Sequence, residues 1–172
     1  MTNESLTHDE LISLLEYKPD TGCFVRIKAA GNNGNWKTGD NVGSVDTQSG
    51  YVKIGLKGKR FYAHRLAWFY VHGVWPKGKI DHINHVRNDN RLINLRDVDD
   101  FAHARNCSMQ SNNASGATGV YWNTDRNKWQ ARIMVNRKNL YLGMFDNIKD
   151  AKDARKLAEV EHGFHSNHGL RA

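Results

Sequence analysis

Apolar residues first recur at helical spacing near the start of the chain. Leu11, Ile12, Leu14 and Leu15 follow Thr7-His8-Asp9-Glu10, the order of a capping box. This predicts a short helix over about residues 7–16. Lys18-Pro19-Asp20-Thr21-Gly22 is a turn signal, and residues 23–28 then read as a strand. Residues 29–50 are rich in Gly and Asn and are expected to be loop. Residues 51–57 alternate apolar and polar, and Lys57-Gly58-Lys59-Arg60 turns them into 61–63, a hairpin. The run His64 to His72 is apolar enough for a buried helix, ended by Gly73 and Pro76. Lys79-Ile80-Asp81-His82, an Asn-rich polar loop and Leu92-Ile93-Asn94-Leu95 follow, with a helix expected over about 99–107.

A polar, small-residue stretch at 108–117 then separates two patterned regions and reads as a linker. Three strands are expected beyond it, at 119–122, 129–136 and 140–143. Asn147 should open a helix through about residue 161, with Ala151, Ala154, Leu157 and Ala158 on one face. In the middle strand Trp129, Ala131, Ile133 and Val135 point one way, toward that helix. Lys128, Gln130, Arg132 and Asn136 point the other, with Met134 among them. Val120, Leu142 and Phe145 complete the expected core.

Charge adds a direction to this outline. The 172 residues carry a formal net charge of +7. Residues 1–100 hold 14 basic and 12 acidic side chains, while residues 101–172 hold 11 and 6, so the excess lies in the C-terminal part. A positive field suits a polyanion such as nucleic acid or an acidic membrane surface, and equally a merely soluble basic protein. Cys23 and Cys107 stand far apart in no CxxC pair. This argues against a zinc ribbon or a disulfide scaffold and fits a reducing, intracellular setting. The polar, acidic N-terminus is no signal peptide, and no stretch approaches transmembrane length.

The candidate chemistry gathers around Asp81-His82-Ile83-Asn84-His85, followed by Asn90-Arg91-Leu92-Ile93-Asn94-Leu95-Arg96, His103 and Asn106. Cleaving a phosphodiester needs a base to activate water and a cation to neutralise charge on the phosphate and leaving oxygen. Asp and His side by side at a strand end supply a metal ligand and a base that point opposite ways. His103, on the expected helix, is placed to add a ligand. An isolated Asp-His pair is ordinary polar surface and an Asn-rich loop only a loop, so the ordered cluster carries the signal.

His64-Arg65-Leu66-Ala67-Trp68, Trp75-Pro76, Ile80-Asp81-His82-Ile83-Asn84, Asp89-Asn90-Arg91-Leu92-Ile93-Asn94-Leu95-Arg96 and Ala104-Arg105-Asn106 resemble the HNH homing endonucleases of bacteriophages and introns. The resemblance covers roughly residues 10–107 and implies a ββα-metal finger, a hairpin and helix that pinch one divalent ion. It implies that Asp81 and His103 are metal ligands, that His82 is the general base, and that Asn94 braces the finger loop and orients His82. His103 stands where many members of the subgroup have Asn, and His85 where Gly is common. Mg²⁺ or Mn²⁺ is the first expectation, and a transition metal such as Zn²⁺ or Ni²⁺ the second. His64 packs inside the finger or touches a phosphate. Arg87, Arg91, Arg96 and Arg105 flank the site as candidate contacts to the scissile strand.

Ser115-Gly116-Ala117-Thr118-Gly119-Val120-Tyr121-Trp122, Lys128-Trp129-Gln130-Ala131-Arg132-Ile133 and Leu140-Tyr141-Leu142-Gly143-Met144-Phe145 resemble the Apetala/ethylene-response-factor type of DNA-binding domain. That implies a three-stranded antiparallel sheet on one helix, with the sheet in the major groove. Tyr121, Asn123, Arg126, Lys128, Gln130, Arg132, Arg137 and Lys138 are its candidate DNA contacts, with Tyr141 beside them.

The sequence therefore leads to an α+β chain: an HNH nuclease domain over 1–107, a linker over 108–117 and a DNA-binding domain over 118–172. The expected activity is metal-dependent hydrolysis of double-stranded DNA to 5′-phosphate and 3′-hydroxyl ends, in the cytoplasm of a bacterial host. A monomer with one finger fits nicking, whereas double-strand cleavage needs a dimer or two successive events. A DNA-binding regulator that no longer cuts is the alternative.

Overall fold

The computed structural model describes residues 6–28 and 37–170. The chain divides into two compact units, Met1–Val98 and Asp99–Ala172.

In the first unit Thr7 caps α1 (His8–Leu14). Its hydroxyl accepts from the Glu10 amide, and the Glu10 carboxylate accepts from the Thr7 amide. The helix stops short of the expected residue 16. Leu15 turns extended and opens β1 (Leu15–Lys18), which pairs with β2 (Cys23–Arg26). Leu15 and Tyr17 are both buried while Glu16 and Lys18 face out. Only the two-residue period of a strand puts positions 15 and 17 into one core.

β3 (Asn41–Val42) extends this sheet, and β4 (Ser44–Val45), β5 (Val52–Leu56) and β6 (Lys59–Tyr62) form a second. The two-residue strands β3 and β4 fall inside the stretch expected to be loop, of which residues 29–36 lie outside the described residues. The β5–β6 hairpin turns through Lys57 and Gly58, both at positive φ, the combination that matches strand twist in a two-residue turn. α2 (Ala63–His72) buries Leu66, Ala67 and Phe69 and ends at Gly73 in the left-handed region. β7 (Lys79–His82) and β8 (Leu95–Val98) then pair antiparallel, with Asp81 opposite Arg96 and His82 opposite Leu95. Ile80 and Leu95 anchor this ribbon in the core of Leu11, Leu15, Phe24, Ile54, Leu66 and Phe69. The loop between them closes with one 3₁₀ turn, Leu92–Asn94.

The second unit begins with α3 (Asp100–Ala104), shorter than the helix expected over 99–107. The Asp99 carboxylate accepts from the Ala102 amide at its start. Residues 108–117 contain no helix or strand but are bonded into the unit. The Met109 amide donates to the Leu170 carbonyl at 3.0 Å, and Ser115 is buried with its hydroxyl on the Ala117 carbonyl. β9 (Val120–Asn123), β10 (Lys128–Val135) and β11 (Lys138–Phe145) form an antiparallel sheet in the order β11-β10-β9. α4 (Ile148–Glu161), capped by Asn147, packs on it. The alternation in β10 is as the pattern predicts, with Ala131 and Ile133 fully buried and Arg132 and Met134 exposed.

The buried face of α4 differs from the expected one. Ala151 and Ala158 are buried, but Leu157 is 73% exposed. Arg155 and Glu159 lie on the inward stripe instead, because positions 151, 155, 158 and 159 share one side of a 3.6-residue helix.

Candidate active site and nucleic-acid interface

Asp81 and His82 end β7, and both are buried. The Asp81 Oδ2 accepts from Arg96 Nε at 2.9 Å and Nη2 at 2.8 Å across the β7–β8 ladder. His82 Nε2 lies 3.4 Å from Asn90 Oδ1. Burial holds the His82 pKa below its ordinary value, although the Asn90 oxygen pulls it up. A ring that stays neutral near pH 7 keeps a lone pair for a proton. An oxygen facing Nε2 favours the proton there and the lone pair on Nδ1.

The loop over this pair is closed by Asn94. Its Oδ1 accepts from the Asn84 amide at 3.0 Å, its Nδ2 donates to the Asp89 carbonyl at 2.9 Å, and its backbone carbonyl accepts from the Ile83 amide at 3.0 Å. One buried side chain thus ties the outgoing limb of the loop to the returning limb. Asp89 adds a second clasp: it accepts from Asn84 Nδ2 at 2.7 Å and from Arg91 Nε and Nη2 at 2.8 and 2.6 Å. These bonds, Arg91's above all, lower the Asp89 pKa to about 2. His85 sits at φ +65° in this loop, a backbone state that glycine adopts without steric cost.

Three residues outside the motif also support the loop. The Tyr17 hydroxyl donates to the Asn90 carbonyl at 2.7 Å. Gly22, at φ +72°, lies so close that a Cβ there would stand 2.4 Å from the Arg91 nitrogen. Tyr51 places its ring 5.7 Å from that of His82, and the Arg87 guanidinium lies 5.3 Å over the same Tyr51 ring. His64 is buried between them, 5.0 Å from Tyr51, 5.1 Å from His82 and stacked on Tyr62 at 5.3 Å. Burial pushes its pKa down to about 3. Its Nδ1 is enclosed without a hydrogen-bond partner. His64 therefore packs rather than faces solvent. Asn90, Tyr17, Gly22 and Tyr51 had no assigned role in the sequence; the signal for Asn90 was its place inside the motif, eight residues after His82, and that for the others was the N-terminal lead-in of the same resemblance, Tyr17 to Gly22 and the Gly50-Tyr51 hairpin.

Among the described residues no three His, Cys, Asp or Glu side chains form a metal-holding group. Asp81 is the first unit's buried carboxylate beside His82. His103 lies on α3 in the second unit, half-buried, with its amide on the Asp99 carbonyl at 2.9 Å. Of the flanking arginines, Arg96 holds Asp81, Arg91 holds Asp89, and Arg87 donates to the Ser49 carbonyl at 2.8 Å. Arg105 belongs to the second unit.

Of the other candidate contacts, Tyr121, Asn123, Lys128, Gln130, Arg132 and Tyr141 lie on the face of the sheet turned away from α4. Tyr121 pairs with Gln130, Asn123 with Lys128, and Arg132 with Tyr141 across the strands. Cross-strand partners share a face, so these six form one polar surface. Asn123 Nδ2 donates to Gln130 Oε1 at 3.2 Å, and the Arg132 guanidinium lies 4.9 Å over the Tyr121 ring. Lys128 is paired with Asp146 at 2.9 Å. Arg126 stands in the exposed β9–β10 turn; Arg137 and Lys138 are exposed at the tip of the β10–β11 hairpin, where Asn136 and Arg137 both take positive φ.

Residues 61–105 match the family model of HNH endonucleases. The matched stretch runs from β6 through the Asp81-His82 ribbon and its loop to α3. It supports an HNH nuclease and suggests nuclease activity on DNA. No curated protein and no solved structure matches the chain. No helix among the described residues is long and apolar enough to cross a membrane.

Proposed function

We propose that the chain is a divalent-metal-dependent DNA endonuclease of the homing type, whose second unit grips double-stranded DNA through the exposed face of its sheet. The observation that carries the reading is a buried, neutral His82 beside the carboxylate of Asp81, under a loop closed by Asn94. His82 takes a proton from the attacking water at Nδ1 while Asn90 steadies the ring at Nε2. Asn94 holds the loop, and so the ring, through the reaction. The products are a 5′-phosphate and a 3′-hydroxyl.

The donor chemistry fits a hydrated, hard cation. One carboxylate and one imidazole leave most positions to water and phosphate, as Mg²⁺ or Mn²⁺ prefers, and the imidazole also admits Zn²⁺ or Ni²⁺. When bound, the ion supplies positive charge to the phosphate and the departing 3′-oxygen. Asp81 enters as a ligand on its burial beside His82, and His103 on its place in the sequence motif. Arg96 neutralises Asp81 in the free protein and turns to a DNA phosphate in the complex, which releases the carboxylate. Arg87, Arg91 and Arg105 serve as further phosphate contacts. On the sheet, Arg132, Gln130, Asn123, Tyr121, Lys128, Arg126, Arg137 and Lys138 meet base edges and backbone.

Incubation of supercoiled plasmid with the protein and Mg²⁺, with and without chelator, tests the reading. Conversion to nicked or linear DNA that chelator blocks is expected. An intact plasmid with Mg²⁺ and with Mn²⁺ contradicts it.

A further inference from the structure

The second unit holds a cavity of about 560 Å³ that the sheet-face reading does not use. Its size falls within the range of small-ligand sites, roughly 300–1,000 Å³, and far exceeds one phosphate ion. Arginines of three separate segments are among its lining residues: Arg105 after α3, Arg132 on β10 and Arg137 at the hairpin tip. Arg155 lines it too, paired with Glu159 at 3.0 Å. No Asp or Glu is among the lining residues. Low-dielectric walls concentrate such a field and favour an anion.

The cavity also has an aromatic wall. Phe164 lines it, with the Arg155 guanidinium 5.5 Å over the ring and His168 edge-on at 4.8 Å. Those neighbours fix the ring before anything binds. Met134 lines it as well and, like Arg132, is exposed on the polar side of β10. The cavity therefore borders the face assigned to DNA, and its lining includes Asn139 and Gln110, whose amides suit the edge of a base.

We propose that this cavity receives one unpaired nucleotide of the bound DNA, its phosphate on Arg105, Arg132 and Arg137 and its base against Phe164 and Met134. The proposal rests on the reading of the sheet as a DNA-binding face. A paired, stacked base cannot enter, so the nucleotide must be extrahelical. The site would make the protein prefer duplexes in which one base is already unpaired.

Binding of the full chain to a plain duplex and to the same duplex with a single-nucleotide bulge, in chelator, tests this. The bulged duplex should bind about tenfold tighter, the scale of one base stacked on an aromatic ring. The Ala104 methyl NMR signal, from the cavity lining and off the sheet face, should shift with the bulged duplex and not with the plain one. Phe164→Ala should remove the preference and Phe164→Tyr keep it. Thermal unfolding confirms that the variants fold, and the wild-type methyl shift decides alone if Phe164→Ala does not. Equal affinity for the two duplexes, or a methyl shift caused only by free deoxynucleoside monophosphate, overturns the proposal while leaving the nuclease reading intact. Failure to bind either duplex counts instead against the DNA-binding face.

Discussion

Arg96 donates through both Nε and Nη2 to a single oxygen, Oδ2, of Asp81, at 2.9 and 2.8 Å. The carboxylate assigned to the metal is thus already held by a cation, and the two positive charges compete for it. Arg96→Gln should tighten Mn²⁺ binding to the DNA-free protein roughly tenfold, the scale of one charge-assisted hydrogen bond. The same variant should cut DNA more slowly, because Arg96 is assigned to a phosphate in the complex. Calorimetric titration with Mn²⁺ reads the first effect, and unchanged affinity removes the competition from the account.

Asn94 bridges the two limbs of the loop over His82. Asn94→Ala strands the Asn84 amide and the Asp89 carbonyl and should destabilise the first unit by about 1–3 kcal/mol. Since Asn94 acts through loop position, its loss should lower kcat more than it raises KM. Asn94→Asp keeps the acceptor toward Asn84 and should recover part of both effects. A variant with wild-type melting and cleavage sets aside the bracing role.

His64 gives a pH signature. Its folded pKa of about 3 lies below the ordinary histidine value of 6.5, so the unfolded chain binds more protons between those limits. Stability is fully present above pH 6.5 and falls as the pH drops below it, by up to about 1.4 kcal/mol per unit, levelling near pH 3. Asp46 and Asp89, whose pKa values are held down by Lys53 and Arg91, add a loss at lower pH. His82, whose pKa burial also lowers, adds a loss of the same sign between about pH 5 and 6.5, so the His64 share in that window is the difference between His64→Phe and wild type. Denaturant unfolding of His64→Phe in that window should show a shallower slope than wild type; an identical slope refutes the burial argument.

In the second unit Arg155 bonds Glu159 at 3.0 Å, the Arg132 carbonyl at 2.8 Å and His168 at 3.1 Å. Removing one member leaves a buried charge, so Arg155→Met should cost about 3–5 kcal/mol, and Arg155→Met with Glu159→Leu clearly less. Gly119→Ala should act through the same group. A Cβ there stands 2.3 Å from the Arg132 carbonyl oxygen and 2.9 Å from Arg155 Nη1, at φ +76°. Thermal unfolding of the three variants checks the order.

Much of this arrangement was legible in the sequence because local pattern and tertiary demand agreed. Thr7 and Glu10 announced α1, Lys57-Gly58 the hairpin turn, and the alternation around Ala131 and Ile133 the two faces of β10. What escaped was set by distant partners. Leu15 left the helix because Tyr17 had to reach the same core. Leu157 looked like core but is exposed, because Arg155 and Glu159, polar in sequence, are buried as a pair with His168. At the candidate site the motif pointed to Asp81, His82 and Asn94. Tyr17, Gly22 and Tyr51 support the same loop from 30 or more positions away, a distance no local spacing encodes.

The central claim is that His82 is the base. The most direct test compares His82→Ala with wild type on supercoiled plasmid in Mg²⁺, alongside a binding measurement on duplex DNA in chelator. The account predicts that cutting is lost while duplex affinity stays at the wild-type level. Cleavage by His82→Ala at the wild-type rate contradicts it.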